Sequence, residues 1–154
     1  MPNAKVFFDS SALIAGVISS TGAARVLLVM SENGDIDLII SDHVITETER
    51  SLTKKVPQAL PGYRETLTNA NIKVIRNPSM KEVHENLHLI ADKNDVPILL
   101  AAIKEKVDYL ATHNRKHFLN DPKVAERAGF KIGTPGDVLA WIRESLQNDE
   151  DSQA

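Results

Sequence analysis

Cysteine is absent from this chain of 154 residues, which excludes disulfides, cysteine-ligated zinc, iron–sulfur clusters and thiol nucleophiles. Aromatic side chains are scarce, with one Trp, two Tyr and four Phe. Most sit where the pattern reads as core, which leaves little for stacking on nucleobases. No apolar run approaches the roughly 18 residues of a membrane span, and the N-terminal Met-Pro-Asn-Ala-Lys leads directly into a short apolar stretch that already contains Asp9. Membrane insertion and secretion are not expected, and a reducing cytoplasm is the expected setting. Excess positive charge is lacking too: 18 Lys and Arg stand against 21 Asp and Glu, for a net charge of -3 and a pI of about 5.9. Nucleic acid would have to be held by local patches or through metal ions that offset the acidity.

What is present suits one globular domain. An apolar content of 42% supplies a sizeable core, while 25% charged residues and a mean hydropathy of -0.20 are ordinary values that set aside disordered and collagen-like chains. Short apolar runs at 6–8, 36–40, 72–75, 108–111 and 130–132 predict strands. Between them, apolar residues recur at helical spacing over 10–18, after Gly22, over 43–55, 81–91 and 95–106, and again after Pro135. Ser41 or Asp42 can cap the helix over 43–55, and Thr134-Pro135-Gly136-Asp137 is a capping box with proline at the first helical position. Alternating strands and helices with nearly continuous apolar strands predict an α/β fold, a parallel sheet of about five strands with helices on both faces. The domain is expected over 1–147, with 148–154 as an acidic, disordered tail.

In such a sheet the ligand crevice lies beyond the carboxyl ends of the strands. Asp9 ends the first strand, Glu47 sits on the first turns after the second, Asp95 opens the helix that feeds the fourth, and Asn114 follows that strand. Converging carboxylates repel one another, and a divalent cation is the common remedy. A cluster with no cysteine and no required histidine suits Mg2+ or Mn2+, and such ions can activate water and clamp a phosphodiester. Each residue also has a plainer role. Asp9, Asp95 and Asn114 can cap the helices they precede, and Glu47 and Glu49 both flank the apolar face of their helix, so that periodicity alone does not choose between them. Arg115, Lys116 and His117, with Lys54 and Lys55, can form a basic rim for phosphates or a solvated charge cluster.

Together these residues carry a resemblance. The segments Val6-Phe7-Phe8-Asp9-Ser10-Ser11, Val44-Ile45-Thr46-Glu47, Asp95-Val96-Pro97-Ile98-Leu99-Leu100-Ala101-Ala102 and Leu110-Ala111-Thr112-His113-Asn114-Arg115-Lys116-His117-Phe118 resemble, in order and spacing, the PIN-domain family and its VapC-like toxins. Thr134-Pro135 before an apolar helix resembles the family's ending, so the likeness spans 5–142. It implies a PIN-like three-layer fold and a metal-dependent endoribonuclease in which Asp9, Glu47 and Asp95 hold Mg2+ or Mn2+. It further implies that Thr112 is the hydroxyl beside that site, and that the partners are RNA, a small antitoxin and a second copy in a homodimer. Asn114 stands at the family's fourth acidic position and would complete the catalytic set, with a carbonyl oxygen but no charge to offer. Ser10, Thr112, Arg115 and Lys116 are the candidate substrate-binding residues. Asp92 can supplement the site, although a surface role is expected of it.

Three rivals draw on the same sequence. His84-Glu85-Asn86-Leu87-His88 is a literal H-E-x-x-H, the helical motif of zinc peptidases, although Lys81 stands before it where an apolar residue is usual and no G-x-x-H extension follows. A haloacid-dehalogenase-like phosphatase also begins with a strand ending in aspartate, but it needs a second acid where Ser11 stands. A PIN domain kept as a binding module without turnover would show the same fold and most of the same residues.

Overall fold

The computed structural model describes residues 2–153. Its centre is a five-stranded sheet of order β3-β2-β1-β4-β5 in which every neighbouring pair runs parallel. The strands are β1 (Lys5–Phe8), β2 (Asp37–Ser41), β3 (Lys73–Ile75), β4 (Tyr109–Ala111) and β5 (Lys131–Gly133). Val6, Phe7 and Phe8 are wholly buried, as are Leu38, Ile39 and Ile40. A strand covered by helices on both faces has no polar alternation to show, which is why these runs are continuously apolar. The expected α/β architecture with its parallel sheet is the observed one.

Helices α1 (Ser10–Ile18) and α2 (Ala23–Glu32) join β1 to β2, and α3 (Asp42–Lys55) and α4 (Leu60–Asn69) join β2 to β3. From β3 the chain passes through α5 (Met80–Glu85) and α6 (Val96–Glu105) to β4, then through α7 (Pro122–Ala128) to β5 and the closing α8 (Pro135–Gln153). Connections from β1 build the sheet outward on one side, and β4 then adds to its other side. The carboxyl ends of β1 and β4 therefore flank the point where strand order reverses, the usual crevice of an open parallel sheet.

Two segments depart from expectation. The helix expected over 81–91 stops at Glu85: Ser79 and Glu82 form a capping box at its start, and the Asn86 side chain donates to the Glu82 carbonyl at 2.7 Å, competing with the backbone for the last turn. His84 and His88 consequently do not share one helical face, and the geometry that H-E-x-x-H requires is missing. Beyond Leu146, α8 continues as far as Gln153, exposed through Ser152, where a disordered tail was expected; Ala154 lies outside the described residues. A run of consecutive polar residues keeps good helix propensity even when nothing packs on it.

Gly133 closes β5 where no side chain fits. A Cβ there would stand 2.9 Å from both the Asp137 Cβ and the Tyr109 hydroxyl, while the Gly133 carbonyl accepts the Thr112 amide at 2.9 Å. Gly133→Ala is expected to cost about 1–3 kcal/mol, the usual penalty for overpacking a rigid site. Urea unfolding checks this; an unchanged midpoint would mean that Asp137 and Tyr109 yield freely.

Candidate active site

Asp9 leaves β1 as the N-cap of α1, so one carboxylate serves both the helix and the crevice. Its Oδ1 accepts from the Ala12 amide at 2.9 Å and from the Ser11 hydroxyl at 2.7 Å, and its Oδ2 accepts from the Thr112 hydroxyl. Thr112 Oγ1 in turn accepts the Asn114 amide, and Ser11 Oγ accepts the His113 amide, both at 2.9 Å. The end of β1 is thereby laced to the segment that leaves β4. Only 4% of Asp9 is exposed. Burial pushes its carboxyl above the usual range, the bonds from Thr112, Ala12 and Ser11 pull it part of the way back, and the charge of Glu47 pushes it up again.

Glu47 is presented by α3, which Ser41 caps through the Val44 amide. Its charge reaches both Asp9 and Asp95, and its Oε1 lies 3.0 Å from His43 Nε2 one turn earlier. Glu49 faces α4 instead. There it accepts from the buried Tyr63 hydroxyl at 3.5 Å, and burial together with Glu49 raises that phenol to about 12. The two candidates on this helix are thus separated by what each faces. Ser10, Ser11, Glu47, Ser51 and Lys55 line a cavity of about 490 Å³ beside the site.

Asp95 precedes α6 but its side chain makes no capping bond. The carboxylate is 13% exposed, and its Oδ2 stands 2.6 Å from His117 Nδ1. Burial pushes this carboxyl up as well; His117 opposes the shift, while Asp92 and Glu47 add to it. Asn114, by contrast, fits its plainer role: its Oδ1 accepts the His117 amide at 3.1 Å and caps the turn over Arg115–Leu119. Arg115 and Lys116 are exposed on that turn.

Asp92 and His117 stand closer to Asp95 than the sequence suggested. Together the three offer ligand atoms within 4.8 Å of one another. The available signal was faint: an Asp-x-x-Asp spacing across the single turn at Lys93–Asp95, and an Asn three residues before a His. The donors suit a divalent cation. Glu47 Oε1 and Asp95 Oδ2 are buried oxygens without an aligned hydrogen-bond donor, and negative charge converges on them. Asp9, Glu47 and Asp95 share this end of the sheet and the charge of Glu47 reaches the other two, but among the described residues only Asp92, Asp95 and His117 close to ligand spacing.

The sequence profile of the PIN domain matches residues 5–116. No protein of curated function matches the chain by sequence. Among solved structures, the VapBC2 complex of Rickettsia felis bound to a promoter DNA fragment contains a chain similar to this one, at 18% identity and a TM-score of 0.61, with 84% of this chain and 98% of that chain covered. A protein of Pyrobaculum aerophilum is similar at 17% identity and a TM-score of 0.62, covering 89% of this chain and 94% of that one. A sarcin–ricin-loop-cleaving VapC toxin of Mycobacterium tuberculosis gives 14% identity and a TM-score of 0.51, covering 72% and 91%. At these identities the likeness is one of fold.

The raised carboxyls have a consequence for stability. A group whose native pKa lies above its ordinary value of 3.8 binds its proton more tightly in the folded chain, so its contribution to stability falls as pH rises from 3.8 through the raised value. Asp95→Asn removes one such group. In chelator at pH 7 the variant is expected to melt above the parent, with the gap closing as the pH falls towards about 4. Thermal melts check this, and a variant that melts lower at pH 7 would mean that the His117 contact outweighs burial.

Proposed function

This chain belongs to the PIN-domain family, and on that premise we propose that it is a Mg2+- or Mn2+-dependent endoribonuclease, the toxin of a toxin–antitoxin pair. The observation that supports the reading is that the charge of Glu47 reaches both Asp9 and Asp95 at the strand-order reversal, with buried oxygens of Glu47 and Asp95 lacking aligned donors. Asp9 and Asp95 would hold the ion directly, and Glu47 would either join them or orient the attacking water. When bound, the ion supplies positive charge to the phosphodiester and lowers the pKa of its water.

The remaining roles fall to the chain's own side chains. Thr112 keeps the Asp9 carboxylate in place through its hydroxyl. Ser10, at the cavity beside Glu47, and the exposed Arg115 and Lys116 would contact the RNA backbone, where cations position the strand without reading its sequence. Asn114 contributes to the catalytic set by ordering the loop after β4. A small antitoxin as partner, supported by the likeness of fold to the R. felis VapBC2 complex, completes the proposal; a homodimer and a cytoplasmic setting belong to it on the family resemblance alone. None of the described helices is by itself long and apolar enough to cross a membrane. A second reading, a binding module without turnover, draws on Asn114, whose amide is committed to the backbone and brings no charge.

Cleavage of an end-labelled RNA pool with Mg2+ or Mn2+ tests the first reading. Asp9→Asn and Asp95→Asn are each expected to lower the rate by at least about 100-fold while leaving the fold intact, since losing even an outer-shell partner of a metal costs 10- to 100-fold. Chelator should abolish cleavage by the parent. Equal cleavage by parent and both variants would sink the site; metal binding without cleavage would identify the binding module.

A further inference from the structure

We propose that His117 is a metal ligand of this chain, acting with Asp92 and Asp95, and that its imidazole tilts the site towards first-row transition ions such as Mn2+ over Mg2+. The inference rests on the metal-dependent reading above and adds to it a nitrogen donor.

The ring of His117 is held between two carboxylates: Nδ1 stands 2.6 Å from Asp95 Oδ2 and Nε2 stands 3.4 Å from Asp92 Oδ2. Asn114 sets its orientation twice over, accepting the His117 amide through Oδ1 and placing its own Nδ2 3.3 Å from Nδ1. An amide nitrogen only donates, so the contact is a hydrogen bond in the tautomer protonated at Nε2, where Nδ1 accepts. That lone pair then faces Asp95 Oδ2, the buried oxygen for which no aligned donor is present. In that tautomer two acceptors stand side by side, and a cation satisfies both. Asp92 adds a third donor, with all three ligand atoms within 4.8 Å of one another.

The same contacts assign Asn114 as a positioning residue rather than a ligand: its oxygen is spent on a backbone amide and its nitrogen on the ring. Imidazole suits the first-row transition ions, most strongly those after Mn2+, whereas Mg2+ keeps to oxygen donors and water; Mn2+ accepts a nitrogen donor more readily than Mg2+ does. A purely carboxylate site would have no such preference built into it.

The test reads the ligand directly. Mn2+ bound to the purified protein is examined by pulsed electron paramagnetic resonance for coupling to a histidine nitrogen, and Mn2+ and Mg2+ affinities are measured by calorimetry for the parent, His117→Ala and His43→Ala. The parent should show the nitrogen coupling. His117→Ala should lose it together with about 10-fold or more of Mn2+ affinity, with a smaller loss for Mg2+, and His43→Ala should retain it. Should His117→Ala fail to fold, 15N-histidine labelling of the parent decides whether a ring nitrogen is bound. Tight Mn2+ binding without nitrogen coupling overturns this inference and leaves the metal-dependent reading standing. Absence of binding by either ion overturns both.

Discussion

Asp9 ends the central strand with almost none of its surface exposed, and both of its oxygens are bonded. One oxygen starts α1; the other reaches across to Thr112, beyond β4, at the place where the order of strands reverses. A buried carboxylate is tolerable only with such partners, because burial disfavours its charge and each hydrogen bond restores part of it. The lacing through Ser11 and Thr112 therefore fixes the register of the two central strand ends and the entry angle of α1 in the same stroke. Gly133 belongs to this lacing as well: its carbonyl takes the Thr112 amide, and the absence of a Cβ lets Tyr109 and Asp137 close against it.

The remaining acids are held less completely. Glu47 and Asp95 come from helices on different crossovers, and each leaves a buried oxygen without an aligned donor. Their mutual repulsion works against the fold, and the core beneath must hold them. That core is large enough to do so, since the central strands are wholly buried and α6 contributes Val96, Ile98, Leu99, Ala101 and Ala102 immediately after Asp95. A rigid helix start positions a carboxylate more sharply than a loop does. Strain of this kind at a site is the ordinary exchange of stability for function.

The fold was legible because its signals are local and repeated. Continuous apolar strands, the serine cap at Ser41 and the box from Thr134 to Asp137 each act within a few residues, and all formed where expected. The helix expected over 81–91 formed but stopped at Glu85 because Asn86 competes for the last turn, an effect invisible to hydrophobic periodicity. At the site, Asp9, Glu47 and Asp95 could be nominated from position beyond strands, yet the choice of Glu47 over Glu49 required Tyr63, which lies on α4. The nearness of Asp92 and His117 to Asp95 was hidden for the same reason. Their proximity depends on how the turn after β4 packs against the start of α6, and no local pattern encodes that distance.

Charge ties these points to the proposed chemistry. The net charge of -3 is unfavourable for RNA, and Asp9, Glu47, Asp92 and Asp95 gather much negative charge at the very place a phosphodiester would have to approach. Exposed Arg115 and Lys116 lie next to this cluster on the turn that Asn114 caps, and Lys55 lies at the adjoining cavity. Their attraction for phosphate is opposed at short range by the carboxylates as long as those are uncompensated. On the proposed reading, a divalent ion changes the sign of that balance at the centre while the basic rim is unaltered. Binding of RNA and binding of metal are then linked events, each strengthening the other by the same factor.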